Sequence, residues 1–229
     1  MTTTPTRPAP PRAPTQGAKP RGIFWPGIAG IASGALMLVS LLVMYSNSPD
    51  YAGSNGLRKT VEFYRDSGNR DLTEAMTLVM LAAALLFLFF LAALARVAAS
   101  RSAQVLVGGI VFTTLVMVGT IAGAIYAVSA SHTDDFLVTP QTGMVALLLQ
   151  DVAYGGFIAG MVGAAVLLFA VWRTARTTRA LPQWLGWFGF VIAVLCLAGP
   201  FSAWLTVLLM GVWTVLAGVV LVMRPPVEV

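Results

Sequence analysis

One stretch in the second half of the chain constrains the fold more than any other. It begins at Asp151, runs over positions 152–172 without a charged residue, and ends in three arginines, Arg173, Arg176 and Arg179. A helix of about 20 residues covers about 30 Å, which is the thickness of the hydrocarbon core of a bilayer. The stretch therefore predicts a transmembrane helix with an acidic end and a basic end.

The composition extends this prediction to most of the chain. Hydrophobic residues make up 58% of the sequence and charged residues 10%, against about 25% charged residues in a typical soluble domain. Positions 180–223 contain no charged residue at all. A soluble domain does not leave that much apolar surface uncovered. The sequence predicts an all-α, polytopic transmembrane bundle whose main partner is the lipid bilayer, and nothing in it favours nucleic-acid binding.

The chain divides into a membrane domain and two short tails. Residues 1–22 are rich in proline, threonine and basic residues, a composition typical of a disordered tail. The apolar run that follows is about twice the length of the apolar part of a signal peptide, so we interpret it as a retained first span. Residues 224–229 form a second tail. Within the domain at 23–223, the predicted spans cover about 23–45, 75–95, 105–128, 152–172, 181–198 and 204–223.

The distribution of basic residues predicts the orientation. With the amino terminus placed inside, the inner segments carry ten basic residues and the outer segments carry four, from the total of 14. Basic residues are retained on the cytoplasmic side of membrane proteins. We therefore predict a multi-pass protein of the cell (inner or plasma) membrane with both termini in the cytoplasm.

The first polar loop contains an amphipathic segment at 56–66. Leu57, Val61 and Tyr64 recur at helical spacing, and charged residues occupy the other positions. The pattern predicts a short helix lying on the membrane surface, and a helix that binds a partner is the alternative.

Residues 67–69 are predicted to end this helix. Residues 71–74 are predicted to cap the second span. The apolar run at 85–91 is predicted to face lipid. Further along, Asp151 lies about 33 Å before Arg173 on a helix. Residues 144–150 are therefore predicted to extend the fourth helix above the hydrocarbon.

Small residues predict where the helices pack. Gly30–Gly34, Gly119–Gly123 and Gly156–Gly160 have the spacing that lets helix backbones approach each other in lipid. Packing within one bundle is the favoured interpretation, and a homo-oligomer or another membrane protein on these faces is the alternative. Hydroxyl groups could bond across helices, bond to their own backbone or line a pore: Ser33, Ser40, Thr113, Thr114 and Thr120.

The absence of several motifs narrows the chemistry. No ionisable residue falls at the centre of a predicted span, which disfavours ion-coupled transport. The single histidine cannot ligate haem inside the spans, and the sequence has neither a protease constellation nor a nucleotide-binding loop. Cys196 is the only cysteine and lies in an apolar block. We assign no catalytic, cofactor-binding or metal-ligating residue and expect no cofactor.

One polar cluster is predicted outside the spans. It contains His132, Asp134, Asp135, Asp151 and, by position, Glu74. A histidine with several carboxylates can bind a divalent ion, and an imidazole can respond to pH near neutrality. A solvated loop is the favoured interpretation.

The start of the fifth span carries a family resemblance. The run from Arg179 to Phe190, RALPQWLGWFGF, resembles the corresponding segment of an uncharacterised bacterial family of six-span integral membrane proteins, frequent in actinobacteria and described as a domain of unknown function. The resemblance implies a fold and a location but no activity. In this run, Pro182 is predicted to start the helix, and Trp184 and Trp187 to anchor it at the interface.

Three hypotheses for function follow. The first is a non-enzymatic membrane protein that acts through protein or lipid partners. The second is a small permease or channel for a neutral or apolar solute. The third is an enzyme that uses the cluster at His132, Asp134 and Asp135.

Overall fold

The computed structural model describes residues 24–49, 51, 53, 55–199 and 202–223, without the side chains of Phe24, Ala203 and Trp204. Both predicted tails lie outside these residues. Every regular element in the described ranges is a helix, which confirms the all-α class. The helices are α1 (Phe24–Asn47), α2 (Gly56–Arg65), α3 (Ser67–Ala98), α4 (Ser102–His132), α5 (Pro140–Thr178), α6 (Gln183–Cys196) and α7 (Ala203–Met223).

Four helical stretches in the described chain are long and apolar enough to cross a membrane. They are Trp25–Asn47, Ser67–His132, Pro140–Thr178 and Leu205–Met223. Helix α6 is apolar but has only 14 residues, or about 21 Å of helix.

The longest of these stretches, 66 residues, folds back on itself. A 3₁₀ turn, Ala99–Arg101, joins α3 to α4, and Ala99 adopts a positive φ of 46°. Beyond the turn, the ring of Phe112 lies 5.5 Å from the ring of Phe87. Helices α3 and α4 therefore form an antiparallel pair.

The six helices other than α2 form a closed ring in the order α1, α3, α4, α5, α6 and α7, and α7 packs back on α1. Large side chains fill the centre of this ring. Phe90 of α3 and Trp213 of α7 are both fully buried, with ring centroids 6.5 Å apart. The indole N–H of Trp213 donates to the carbonyl of Leu185, 3.4 Å away, and so ties α7 to α6.

Glycine brings the backbones of α4 and α5 together. A Cβ atom on Gly156 would lie 3.0 Å from the Cα of Gly119. A Cβ on Gly163 would lie 2.6 Å from the backbone nitrogen of Phe112 and 2.7 Å from the carbonyl oxygen of Gly108. The predicted glycine faces of the third and fourth spans thus pack against each other.

A second glycine interface lies between α1 and α7, and the sequence predicted only the α1 side of it. A Cβ on Gly34 would lie 2.6 Å from the carbonyl oxygen of Gly211, and one on Gly218 would lie 2.7 Å from that of Gly27. The two glycines of each helix are two helical turns apart. Gly30, which the sequence paired with Gly34, contacts Phe90 of α3 instead.

The buried hydroxyl groups form hydrogen bonds in two ways, across to another helix or back to their own helix. Ser33 donates across to the carbonyl of Ala83 in α3 over 2.7 Å, and Ser40 makes a similar bond to α3 over 2.9 Å. Thr113 and Thr120 donate to carbonyls of their own helix, four residues earlier, over 2.7 and 2.8 Å. Each of these four hydroxyls therefore donates to a backbone carbonyl.

Three local predictions for α3 are wrong. The helix begins at Ser67, so the predicted break at 67–69 is its first turn. Asp66 caps it instead of residues 71–74, because its carboxylate accepts from the N–H of Asn69 over 3.2 Å. The apolar run at 85–91 does not face lipid as a whole: Phe87 is 2% exposed, whereas Phe89 is 60% exposed. Consecutive apolar residues cover every face of a helix, and one face points into the ring.

Helix α5 is much longer than its neighbours in the ring. Thr139 and Thr142 form a capping box at its start, and its 39 residues span about 58 Å. Residues 144–150 extend the helix, as predicted. Helix α6 ends at Cys196, whose Sγ lies 3.8 Å from the Sδ of Met161. The part of α5 before Met161 therefore extends past the end of α6.

Candidate functional site

Helix α2 covers one end of the ring. Val61 and Tyr64 on its apolar face are only 5% and 3% exposed. A Cβ on Gly143, in the first turn of α5, would lie 2.6 Å from Cγ2 of Val61. The apolar face thus packs on the protein itself. We call this end of the bundle the cap end, and the end with the Ala99–Arg101 turn the base end.

Aromatic rings and one arginine fix α2 in place. The ring of Tyr64 lies 4.8 Å from that of Tyr126 in α4, which lies 5.1 Å from the ring of Phe136. Arg70 donates to the carbonyl of Tyr64 over 2.7 Å and to the hydroxyl of Ser131 over 3.3 Å. Because its guanidinium satisfies a free carbonyl at the end of α2 and also reaches α4, Arg70 links three helices.

A cavity of about 490 Å³ lies under α2, between α1 and the part of α5 that extends past α6. Its size is within the usual range for small-molecule sites, about 300–1,000 Å³. We call it the cap cavity. Its lining comprises Leu41, Val43, Met44, Tyr45, Asn47, Ser48, Tyr51, Phe63, Tyr64, Leu72, Thr73, Met76, Gly123, Leu147, Gln150, Asp151, Ala153, Tyr154 and Phe157.

The lining is largely apolar, with polar groups of a restricted kind. Apolar side chains come from every wall, and the polar atoms belong to hydroxyls, side-chain amides and one carboxylate. That carboxylate, Asp151, is the only charged group among these lining residues. Four of the five tyrosines in the chain also line the cavity. Such a surface accommodates a molecule with a long apolar part and a small polar head.

Two of these tyrosines interact directly. The side chains of Tyr51 and Tyr64 are hydrogen-bonded to each other. Burial, and then the neighbouring Tyr64, raise the pKa of Tyr51 above its usual value. Burial also raises the pKa of Tyr64. Both phenols are therefore neutral at physiological pH and act as uncharged hydrogen-bonding groups.

The predicted polar cluster does not come together as one site. His132 Nε2 lies 3.0 Å from Glu74 Oε2, just beyond the predicted spans. This hydrogen bond is the main reason that the pKa of Glu74 is lowered from its usual value. Asp134 and Asp135 are exposed in the α4–α5 turn, and Asp151 lines the cap cavity. Among the described residues, no group of three or more His, Cys, Asp or Glu could hold a metal ion.

The middle of the ring offers little free space. A second cavity, bordered by Ser33, Met37 and Thr113, has a volume of only about 10 Å³. A single water molecule needs about that much room. This space is therefore too small to hold a solute.

The base end carries the segment on which the family resemblance rests. Pro182 immediately precedes α6, as predicted. Trp184 and Trp187 remain 53% and 48% exposed, which fits anchoring at an interface. The guanidinium of Arg176 lies 5.3 Å from the ring of Trp172 and 5.9 Å from that of Trp187. These contacts support a structural role for the segment.

Sequence reasoning missed most of the cap cavity. The sequence assigns no site role to Tyr45, Tyr51, Gln150 or Tyr154, all of which line the cavity. A single signal was present: most tyrosines of this chain fall close to one predicted side of the membrane. That signal is also typical of aromatic belts, so it does not by itself indicate a cavity.

Comparison of the chain with family models, with curated proteins and with solved structures finds no match.

Proposed function

We propose that the chain is a six-span protein of the cell (inner or plasma) membrane with both termini in the cytoplasm. The antiparallel packing of α3 and α4 supports two crossings within the longest apolar stretch. The packing of α6 between α5 and α7 supports a crossing there despite its short length. The resemblance of residues 179–190 to the uncharacterised six-span family favours the same topology.

We further propose that this protein binds an amphiphilic, lipid-soluble molecule in the cap cavity and acts without catalysis. The observation that carries the proposal is the cavity itself: about 490 Å³, lined mainly by apolar side chains, at the end of the ring where the first predicted span finishes. A molecule in the outer half of the bilayer would reach it from the side on which α5 extends past α6. This deepens the first hypothesis, in which the protein acts through lipid partners.

The two alternatives receive less support. A permease needs a path past the middle of the ring, where Phe90 and Trp213 are fully buried and in contact. An enzyme built on the polar cluster needs its members together, whereas His132 pairs with Glu74 and Asp151 lies in a different place.

The test compares two neighbouring leucines of α5. Leu147 lines the cap cavity, whereas Leu148 is 63% exposed and is not part of the lining. We expect Leu147→Trp to fill part of the cavity and Leu148→Trp to leave it open. The measurement is native mass spectrometry of protein purified in a mild maltoside detergent, followed by extraction and identification of the bound small molecules.

We expect a stoichiometric amphiphile on the wild-type protein and on Leu148→Trp, and a much lower occupancy on Leu147→Trp. Met44→Trp, which fills the cavity from α1, should repeat the loss. Equal occupancy in all four proteins would contradict the proposal, because binding would then not depend on the cavity.

A further inference from the structure

We infer that the cap cavity selects amphiphiles whose head carries a positively charged nitrogen. This inference rests on the proposed function, since it concerns the ligand of the same cavity. It comes from the kinds of polar side chain that the cavity holds and from the kinds that its lining lacks.

The first observation is the sign of the charge. Asp151 is exposed and lines the cavity, and no lysine, arginine or histidine is among the lining residues. A carboxylate attracts a nearby cation and repels an anion, and the interaction strengthens as water is excluded. A phosphate or carboxylate head would find no basic partner in this lining. The charge therefore favours a cationic head over an anionic one.

The second observation is the set of tyrosine rings. Tyr45 of α1 and Tyr154 of α5 line the cavity from two different helices. Tyr64 of α2 and Tyr51, which precedes α2, add rings from the side of the cap. The faces of aromatic rings attract cations, and groups of such rings are a recurrent means of binding alkylammonium ions. Four tyrosine rings and one carboxylate in the same lining therefore form a surface suited to an amine or a quaternary ammonium.

The remaining lining accommodates the apolar part of the ligand. Leu41, Met76 and Phe157 contribute apolar surface from three different helices. A head of moderate size and an apolar chain or ring system together match the cavity. A lipophilic monocation and the choline head of a phospholipid share the cationic nitrogen, but only the phospholipid adds a phosphate.

The experiment uses four ligands with the same oleyl chain. Binding of oleylamine, oleyl alcohol, oleate and oleoyl-lysophosphatidylcholine to the full chain in maltoside micelles is titrated by native mass spectrometry. The signal remaining in Leu147→Trp is subtracted as association with the micelle. We expect oleylamine to bind at least about fivefold more tightly than oleyl alcohol, from a single charge pair near water, and oleate to bind most weakly.

Two sets of variants identify the groups responsible. Asp151→Asn should remove most of the advantage of oleylamine over oleyl alcohol while leaving oleyl alcohol binding unchanged. Tyr45→Leu should weaken oleylamine binding several-fold, and Tyr45→Phe, which keeps the ring, should restore it. Neither residue is buried, so both sets of variants should fold.

The outcomes separate this inference from the proposed function. If oleylamine, oleyl alcohol and oleate bind equally well, or if oleate binds best, the inference is wrong and the proposed function stands. If no ligand binds above the level of Leu147→Trp, the proposed function fails as well. Weaker binding of the lysophospholipid than of oleylamine would identify a simple monocation as the ligand. Equal binding would keep the cation preference and identify a phospholipid head as its source.

Discussion

Replacing Gly163 by alanine tests the packing that holds α4 and α5 together. The new Cβ would lie 2.6 Å from the backbone nitrogen of Phe112, 2.7 Å from the carbonyl oxygen of Gly108 and 3.0 Å from the Cβ of Val111. All three atoms belong to the main chain or its first carbon, so no flexible side chain can move aside. The two helices must separate locally by several tenths of an ångström or more.

The expected cost follows from two opposing effects. Overpacking of a tight interior costs about 1–3 kcal/mol, and the backbone atoms at Gly163 place it near the upper limit. Alanine also favours the helix over glycine by about 1 kcal/mol. We therefore expect Gly163→Ala to lower the free energy of unfolding by about 2 kcal/mol. The assay is reversible unfolding in mixed micelles, with the purified variant compared with the wild type.

Gly155→Ala is the matched control on the same helix. A Cβ on Gly155 meets nothing within 4 Å, so this variant keeps the gain in helix propensity without the clash. It should be as stable as the wild type or slightly more stable. The difference between the two variants isolates the close approach of the backbones, about 3 kcal/mol. If Gly163→Ala proves as stable as Gly155→Ala, the glycine contact does not stabilise the α4–α5 pair.

Two further predictions concern topology and pH. For topology, cysteines are introduced singly in a Cys196→Ala background, and an impermeant thiol reagent is added to intact cells. The reagent should label Asp134→Cys in the α4–α5 turn and should not label Ser100→Cys in the base-end turn. The reverse pattern would contradict the proposed orientation. For pH dependence, the pKa of Glu74 is lowered in the folded protein, so its ionised carboxylate stabilises the fold. This contribution is fully present above the usual glutamate pKa of about 4.3 and is lost as the pH falls through the lowered pKa. The difference in melting temperature between wild type and Glu74→Gln should therefore shrink below about pH 4, and a constant difference would show that the bond to His132 contributes nothing.

The helices themselves could be predicted because lipid imposes a simple rule on sequence. A segment that crosses a bilayer must be apolar and long enough, and its charges must collect at its ends. The uncharged run at 152–172 obeys this rule and lies within α5. The same rule says nothing about rotation around the helix axis. Phe87 and Phe89 are equally apolar, yet one points into the ring and the other away from it.

The docking of α2 shows a second limit. Its apolar spacing predicts a helix with one face that avoids water. A lipid surface, a partner and the protein's own α5 all satisfy that requirement, so the pattern could not distinguish them. Packing of α2 on α5 depends on Gly143, because its missing side chain leaves room for Val61.

The cap cavity could not be predicted from the sequence for a different reason. A cavity is a property of the space between elements, and its walls come from distant parts of the chain, such as Tyr45 and Tyr154. It exists because α6 ends beside Met161 while α5 continues. Relative helix lengths in a bundle depend on where each turn falls, which hydropathy locates only to within a few residues.

The pairing of the first and last helices of the ring has a consequence for biosynthesis. Gly27 and Gly34 receive their partners only when Gly211 and Gly218 have been translated. At ordinary rates of translation, roughly 10 to 40 s pass between the two events. During that interval the narrow groove on the amino-terminal helix is open to any other small-residue helix nearby. Nascent chains of this protein should therefore depend on an insertase or chaperone to shield that groove until synthesis is complete.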